Sequence, residues 1–505
     1  MRSAAIALVA LTGCNQIYGL DQPILLDAQP LPPDAVSLAR MRFTAIVPTY
    51  DNGTPLDPEF TEIIPSPMIQ IGRPGGPLTA ARYLPEGYVE IPTDYPGSRW
   101  ALVYTIPGEE PRELQWTPPE NGHYVIPRFV APGRPPQPGP DAAFDLTPAN
   151  PPSTYPNPFV YTTGAWTERR LMTVNNMTVT VPYDTVVPFA GGPRFAPDPA
   201  QGDRVTLITY ATDATCRTAT KAAQFDIALT NGTSVDPTPP AWPATVSQLP
   251  QTFKLLDTSV GRERVRGALG QAPGTAHFFN YLVGIDAAPK LPQFVHDVPS
   301  VPFPTPPMML LLSCTALQPT ADPARGETPA FAELADVPGP QVAHVQVSGG
   351  QALASGLVVR AGLSAVAPLA TSDNAPPFEA SFVNRNIKLG ADDITWSSAT
   401  TTPATLAAGS DPLELTFETE TSSSPADYFE ITLMRVAGAN LEPVRTYITA
   451  ERMLAIDRAH LTAGTTYTFR LRTFVGVPNA RLGDWRQWFM PQSMAQFHSR
   501  TFTVP

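Results

Sequence analysis

Three cysteines, six histidines and one adjacent pair of aspartates are the side chains of this 505-residue chain whose chemistry is weighed first. A thiol can accept an electrophile, bind a metal or pair with a second thiol. Cys14 stands alone near the N-terminus, while Cys216 and Cys314 form an even pair far from it. In an oxidising compartment an even pair is expected to form a disulfide. Closing a loop of about 100 residues would contribute on the order of 4 to 5 kcal/mol in the chain-entropy account. Two separately buried thiols, acting as small apolar residues, would leave the same sequence. His123, His277, His296, His344, His460 and His498 are dispersed and have no metal-ligand spacing. Asp392-Asp393 could offer carboxylates to calcium, but adjacent acids far more often form a solvated turn.

Local catalytic signatures are missing. There is no His-Glu-x-x-His, no Gly-x-Ser-x-Gly, no Gly-x-x-x-x-Gly-Lys and no EF-hand loop. No cofactor or metal is therefore expected, and the chain reads as non-catalytic. A triad assembled from distant residues would leave no local trace.

The setting of Cys14 is more specific. Arg2 precedes an apolar run, Ala4 to Leu11, and then Thr12 and Gly13 lead to the cysteine. That is the charged, hydrophobic and small-residue order of an export signal. The run is shorter than the about 20 apolar residues that a membrane span needs. Leu11-Thr12-Gly13-Cys14 resembles the lipobox of bacterial lipoproteins. The resemblance implies that residues 1–13 are a signal peptide and that the Cys14 thiol takes a diacylglyceryl group. The mature chain would then be held on a membrane, stably once two or more acyl chains are present. Asn15 stands where aspartate usually retains a lipoprotein on the inner membrane, so the outer membrane is the implied destination. An ordinary secretory signal with a chance cysteine is the alternative.

Composition restricts partners and fold. Charged residues are 15% of the chain and the formal net charge is −12, which argues against nucleic acid and against electrostatic binding to anionic lipid. Lys221, Lys254, Lys290 and Lys388 are the only lysines, and arginine carries the remaining positive charge. The 62 prolines interrupt nearly every segment, and an interior proline costs a helix about 3 kcal/mol, so long helices are excluded. Between the prolines lie runs rich in β-branched and aromatic residues: residues 42–47, 88–91, 100–104, 172–174, 177–181, 204–210 and 342–347. The expected fold class is all-β and multidomain, with antiparallel β-sandwich modules joined by proline-rich linkers.

The proline-rich gaps suggest where those modules begin and end. Residues 14–39 read as a tether, 40–130 as a first sandwich-like domain and 131–158 as a linker. Residues 159–377 form a larger β-rich region of one or two sandwiches, and 378–505 a final domain. In that last domain Leu413, Leu415 and Phe417 alternate, as do Phe429, Ile431 and Leu433, each set marking one buried strand face. Leu461-Thr462-Ala463-Gly464-Thr465-Thr466-Tyr467-Thr468-Phe469-Arg470-Leu471 then resembles the E-to-F corner of a fibronectin type III module, with Ala463 where proline is usual. The resemblance implies that Tyr467 is a tyrosine corner, with its ring in the core and its hydroxyl bonded to upstream backbone. Arg470 and Arg472 would then face solvent. Trp485, Trp488 and Phe489 would pack the end of the sandwich or form a recognition patch.

Two function classes remain from the sequence. One is a lipid-anchored envelope protein that binds a protein or glycan, adheres, or acts as a spacer. The other is a lipid-anchored extracytoplasmic hydrolase with residues 159–377 catalytic and the last domain accessory, which would require a pocket with convergent carboxylates or a Ser/His pair.

Overall fold

A computed structural model describes residues 40–47, 50–51, 54–55, 59–62, 69–84, 88–91, 99–105, 110–116, 121–129, 143–146, 159–162, 167–170, 179–182, 187–188, 205–212, 216–225, 234–235, 248–249, 258–271, 279–287, 309–317, 331–332, 341–353, 355–368, 379–400, 402–407, 412–420, 426–485 and 492–505. For residues 43–62, 83, 121, 123–249, 258–260, 279–345 and 366–368 the description covers the backbone only. The chain is all-β, with short strands in mostly antiparallel sheets and one α-helix among the described residues.

Seven strands of the N-terminal part matter here: β1 (Arg40–Val47), β2 (Gln70–Gly72), β3 (Leu78–Ala80), β4 (Tyr88–Glu90), β5 (Trp100–Tyr104), β6 (Arg112–Trp116) and β7 (Asn121–Phe129). Strand β1 pairs antiparallel with β4 and parallel with β7, forming a sheet of its own. Strands β3, β2, β5 and β6 pair in that order, each step antiparallel.

The middle region contributes β8 (Phe159–Thr162), β9 (Thr167–Arg170), β10 (Val205–Thr212) and β11 (Cys216–Phe225). It continues through α1 (Thr258–Ala268), β12 (Phe279–Ala287), β13 (Met309–Leu317), β14 (Gln341–Ala352) and β15 (Val358–Pro368). The expected strand at residues 172–174 lies outside the described residues. Helix α1 sits in a stretch from Gln251 to Ala272 that contains no proline. It ends where Gly270, at φ 67°, turns the chain so that Gln271 can donate its N–H to the Arg266 carbonyl. Trp396 and Ser398 then donate side-chain hydrogen bonds to the Leu269 and Gly270 carbonyls, tying this helix end to the C-terminal part.

That C-terminal part comprises β16 (Val383–Leu389), β17 (Leu413–Thr419), β18 (Tyr428–Ala437), β19 (Asn440–Thr449), β20 (Met453–Ile456), β21 (Thr466–Val475), β22 (Gln492–His498) and β23 (Phe502–Thr503). One sheet runs β16-β17-β20 and the other β19-β18-β21-β22, with β23 also on β21. Alternation explains how they close on each other. On β17, Leu413, Leu415 and Phe417 are buried while Glu414 and Glu418 are exposed. They pack against Phe429, Ile431 and Leu433 of β18 and Tyr467, Phe469 and Leu471 of β21 in one apolar cluster. Phe417 meets Phe429 edge-on at 5.0 Å between ring centroids. Each fully buried large apolar side chain contributes roughly 1.5 to 3 kcal/mol. The β18–β19 turn is Gly438-Ala439, and Gly438 takes φ 64°, a value that tight hairpin turns need and that glycine adopts without strain.

The pairing crosses both domain boundaries read from the sequence. Strand β6 adds to the free edge of β19 in parallel, and β22 pairs antiparallel with β15. The resulting ladder runs β3-β2-β5-β6-β19-β18-β21-β22-β15-β14-β12-β13-β11-β10-β8-β9. It does not return on itself among the described residues. Proline-rich gaps mark where the chain leaves a strand, but they do not say which edge it joins next.

Candidate functional site

Both faces of the central sheet are buried around β18, β21 and β22, and the face turned away from the apolar cluster is polar. Arg470 and Arg472 lie there at 8% and 2% exposure, so the sequence expectation that they face solvent is corrected. They are tolerated because each has partners. Arg472 pairs with Glu430 at 3.1 Å and donates from Nε to Gln496 Oε1 at 2.8 Å. Arg470 donates to Thr432 Oγ1 at 3.1 Å, Thr432 meets Thr446 Oγ1 at 3.0 Å, and Thr446 donates to Glu110 Oε1 at 2.9 Å. A buried ion pair gains little over apolar packing, but removing one partner leaves a stranded charge. His498 shares this face opposite Arg470 on β21. Burial, then Arg470, Arg360 and Arg472, hold its pKa down at about 3, so the ring is neutral.

A second cluster forms where β6 meets the C-terminal sandwich. Glu113 pairs with Arg445 at 3.2 Å, both side chains being buried. Arg445 reaches His460 Nε2 at 2.5 Å, and His460 Nδ1 lies 3.0 Å from the Tyr447 hydroxyl. A guanidinium only donates, so Nε2 must accept, and the proton of the neutral ring sits on Nδ1, facing Tyr447. Burial and Arg445 lower the His460 pKa to about 4, against a smaller opposing effect of Asp457. Burial also raises the Glu113 carboxyl, and Arg445 and Gln115 offset only part of that. With both ring nitrogens engaged, His460 has no free lone pair to take a substrate proton. The cluster works as a polar joint between strands.

Tyr467 lies at the start of β21 with its ring in the apolar cluster. Its hydroxyl accepts the Thr462 N–H at 2.9 Å, five residues upstream. This is the geometry of a tyrosine corner. Tyr467→Phe removes only that hydroxyl and leaves the Thr462 N–H without its acceptor. We expect it to cost about 1 to 3 kcal/mol in chemical denaturation. Thr466→Ser keeps the hydroxyl that meets Thr503 Oγ1 at 3.2 Å and should cost far less. Equal costs for the two changes would remove the argument for the corner.

The remaining sequence candidates separate cleanly. Asp392 and Asp393 form a two-residue strand paired with Leu389 and Lys388 rather than the expected turn; Asp393 Oδ1 accepts the Thr395 N–H and Asp392 Oδ2 the Ala407 N–H, so both carboxylates hold nearby backbone. No group of three metal-ligating side chains occurs among the described residues. Trp485 is buried, at 3% exposure, which favours packing over a recognition patch, while Trp488 and Phe489 lie outside the described residues. Cys14, His277 and His296 are also outside them, and of His123 and His344 only the backbone is described. Cys216 and Cys314 are described by backbone alone, and there they stand directly opposite each other across the antiparallel β11–β13 pair. Nothing local in the sequence flagged Glu113 or Gln115, because their partners lie some 330 residues away, at Arg445 and Ala455. No helix among the described residues is long and apolar enough to cross a membrane. No protein-family model matches the chain, and no curated protein matches it.

Proposed function

We propose that this chain is a lipid-anchored protein of the cell envelope, held on the outer membrane, whose β-sandwich units bind or space a protein or glycan partner without catalysing a reaction. The observation that carries the reading is Leu11-Thr12-Gly13-Cys14 after a short apolar run. The buried ionisable groups of the sheet support it, because they are engaged with one another as structural joints. We further propose that residues 378–505 are a fibronectin type III-like module. The two sheet orders, β16-β17-β20 and β19-β18-β21-β22, and the Tyr467 to Thr462 hydrogen bond support that assignment. Such a module serves adhesion, recognition and spacing alike.

A Cys216–Cys314 disulfide belongs to the same proposal. Directly opposed residues of an antiparallel pair have Cα atoms about 4.5 or 5.5 Å apart. Both separations fall within the about 4.4 to 6.8 Å that a disulfide spans. An exported protein would meet the oxidant that forms it.

Metabolic labelling tests the anchor. The wild-type chain is expected to incorporate labelled fatty acid and to fractionate with outer membranes, and Cys14→Ala to lose both. Label that persists in the variant, or a wild-type protein that takes up none, would sink the proposal.

A further inference from the structure

Strand register brings together two side chains that the ion pairs of the polar face do not use. His498 of β22 stands opposite Arg470 of β21. Phe497 stands opposite Ala361 of β15, so the residue before Ala361, Arg360, flanks His498 on its other side. Gly350 of β14 lies opposite Arg360 and adds no side chain. The row Arg470, His498, Arg360 and Gly350 thus crosses four adjacent strands, about 4.8 Å apart, on one face. Burial gives way along it. Arg470 and His498 are buried, whereas Arg360 is exposed and Gly350 half-buried.

Partners change along the same row. Arg472 is taken by Glu430 and Gln496, and Arg112 approaches Glu430 at 3.9 Å. Arg470 donates to Thr432. Arg360 and His498 make no hydrogen bond or ion pair among the described residues. The charged groups that act on His498 there are Arg470 and Arg472 from β21 and Arg360 from β15, all cationic. A guanidinium only donates, and a neutral imidazole brings one further N–H. The group these side chains match is an acceptor that carries negative charge.

We propose that Arg360 and His498, backed by Arg470, form a binding site for an oxyanion, a carboxylate or phosphate group, which enters from the Arg360 side past Gly350. In giving the partner an acidic group, this rests on the binding role proposed above and not on the anchor at Cys14. The planar fork of Arg360 would take two oxygens of the anion, and His498 would donate to one of them. The bound charge would offset the repulsion that keeps the ring neutral, so binding and protonation of His498 favour each other.

Titration of the full-length chain tests this, with inorganic phosphate and with a uronic-acid trisaccharide as probes. Calorimetry reads the affinity, and the His498 ring signal, identified among six histidines by its loss in His498→Gln, reads the site by NMR. At least one probe should bind and shift that signal, and a neutral glucose trisaccharide should do neither. At pH 5.5 the ring should be neutral in the free chain and partly protonated with the probe bound. Arg360→Gln should weaken binding at least tenfold without moving the denaturation midpoint. Arg435→Gln, which removes an exposed arginine paired with Glu442, should leave binding unchanged. Phosphate acting alone would make free phosphate the source of the group, and the trisaccharide acting alone a carboxylate-bearing glycan; either result, or both, supports the site. Binding of neither probe, affinity unchanged in Arg360→Gln, or an unmoved His498 signal would overturn it, while the anchor is decided separately by fatty-acid labelling.

Discussion

Stability is expected to fall as the pH drops from 7 to 5, before the carboxylates titrate, because the native sheet holds His498 as a neutral ring. The sign follows from the two states. Unfolded, the imidazole has an ordinary pKa near 6.5, whereas folded it is held at about 3 by burial and by Arg470, Arg360 and Arg472. Below 6.5 the unfolded chain therefore binds a proton that the native chain refuses, and stability falls with each step towards pH 3. One such ring costs about 1.4 kcal/mol per pH unit, so its full titration is worth on the order of 5 kcal/mol. His460, held at about 4, acts in the same direction, with a smaller effect because it is partly open to solvent. Glu113 works the other way. Its raised pKa lets the native state take up a proton before the unfolded chain does, which offsets part of the loss once its carboxyl begins to titrate. Chemical denaturation at pH 7.5, 6.5, 5.5 and 5.0 measures the slope. His498→Gln, neutral at every pH, should flatten most of it. A wild-type midpoint that stays constant from 7.5 to 5.0, or a variant with the wild-type slope, would show that His498 is not held neutral.

His498 also shows what the sequence could and could not tell. The period-two pattern of Leu413, Leu415 and Phe417, and of Phe429, Ile431 and Leu433, identified one apolar face, and those residues form the core between the two sheets. The same pattern assigned Arg470 and Arg472 to the opposite face correctly but gave that face to solvent. Periodicity reports which residues share a face, and it is silent on whether a second layer covers the other one. Charged residues on a face normally imply water. Here Glu430, Gln496 and Thr432 supply partners from neighbouring strands, and no local window of sequence contains those pairs.

Strand β6 was hidden for the same reason. Arg112-Glu113-Leu114-Gln115-Trp116 has the look of a half-exposed edge, yet all five residues are buried. Its parallel partner β19 follows some 330 positions later, and register over that distance leaves no mark on composition or spacing. Tyr467 was legible because its partner, the Thr462 N–H, is five residues upstream, within one motif. The polar joint of Glu113, Arg445, His460 and Tyr447 was not, because three separate segments supply it. Local chemistry can be read locally, and the buried ion pairs of a long sheet cannot.

Cys216 and Cys314 combine both situations, since their number suggested a pair and only the sheet register sets them opposite each other. The protein purified after export, without reductant, is expected to show no titratable thiol at these positions once unfolded. Reduction should then lower stability by at most about 4 to 5 kcal/mol, the chain-entropy value for a loop of about 100 residues. That loop joins β11 to β13, and β13 also pairs with β12 on its other side, so strand pairing persists after reduction and the measured loss should not exceed the chain-entropy value. The double variant Cys216→Ala/Cys314→Ala should match the reduced wild type and show no further response to reductant. Two free thiols in the unreduced chain, or a double variant as stable as the oxidised wild type, would leave the opposed cysteines as ordinary strand residues. Reduction in the cytosol before export would keep the chain open. Closing it only in the oxidising compartment would add the cross-link when the short β11–β13 pairing, which joins residues about 100 positions apart, has to form.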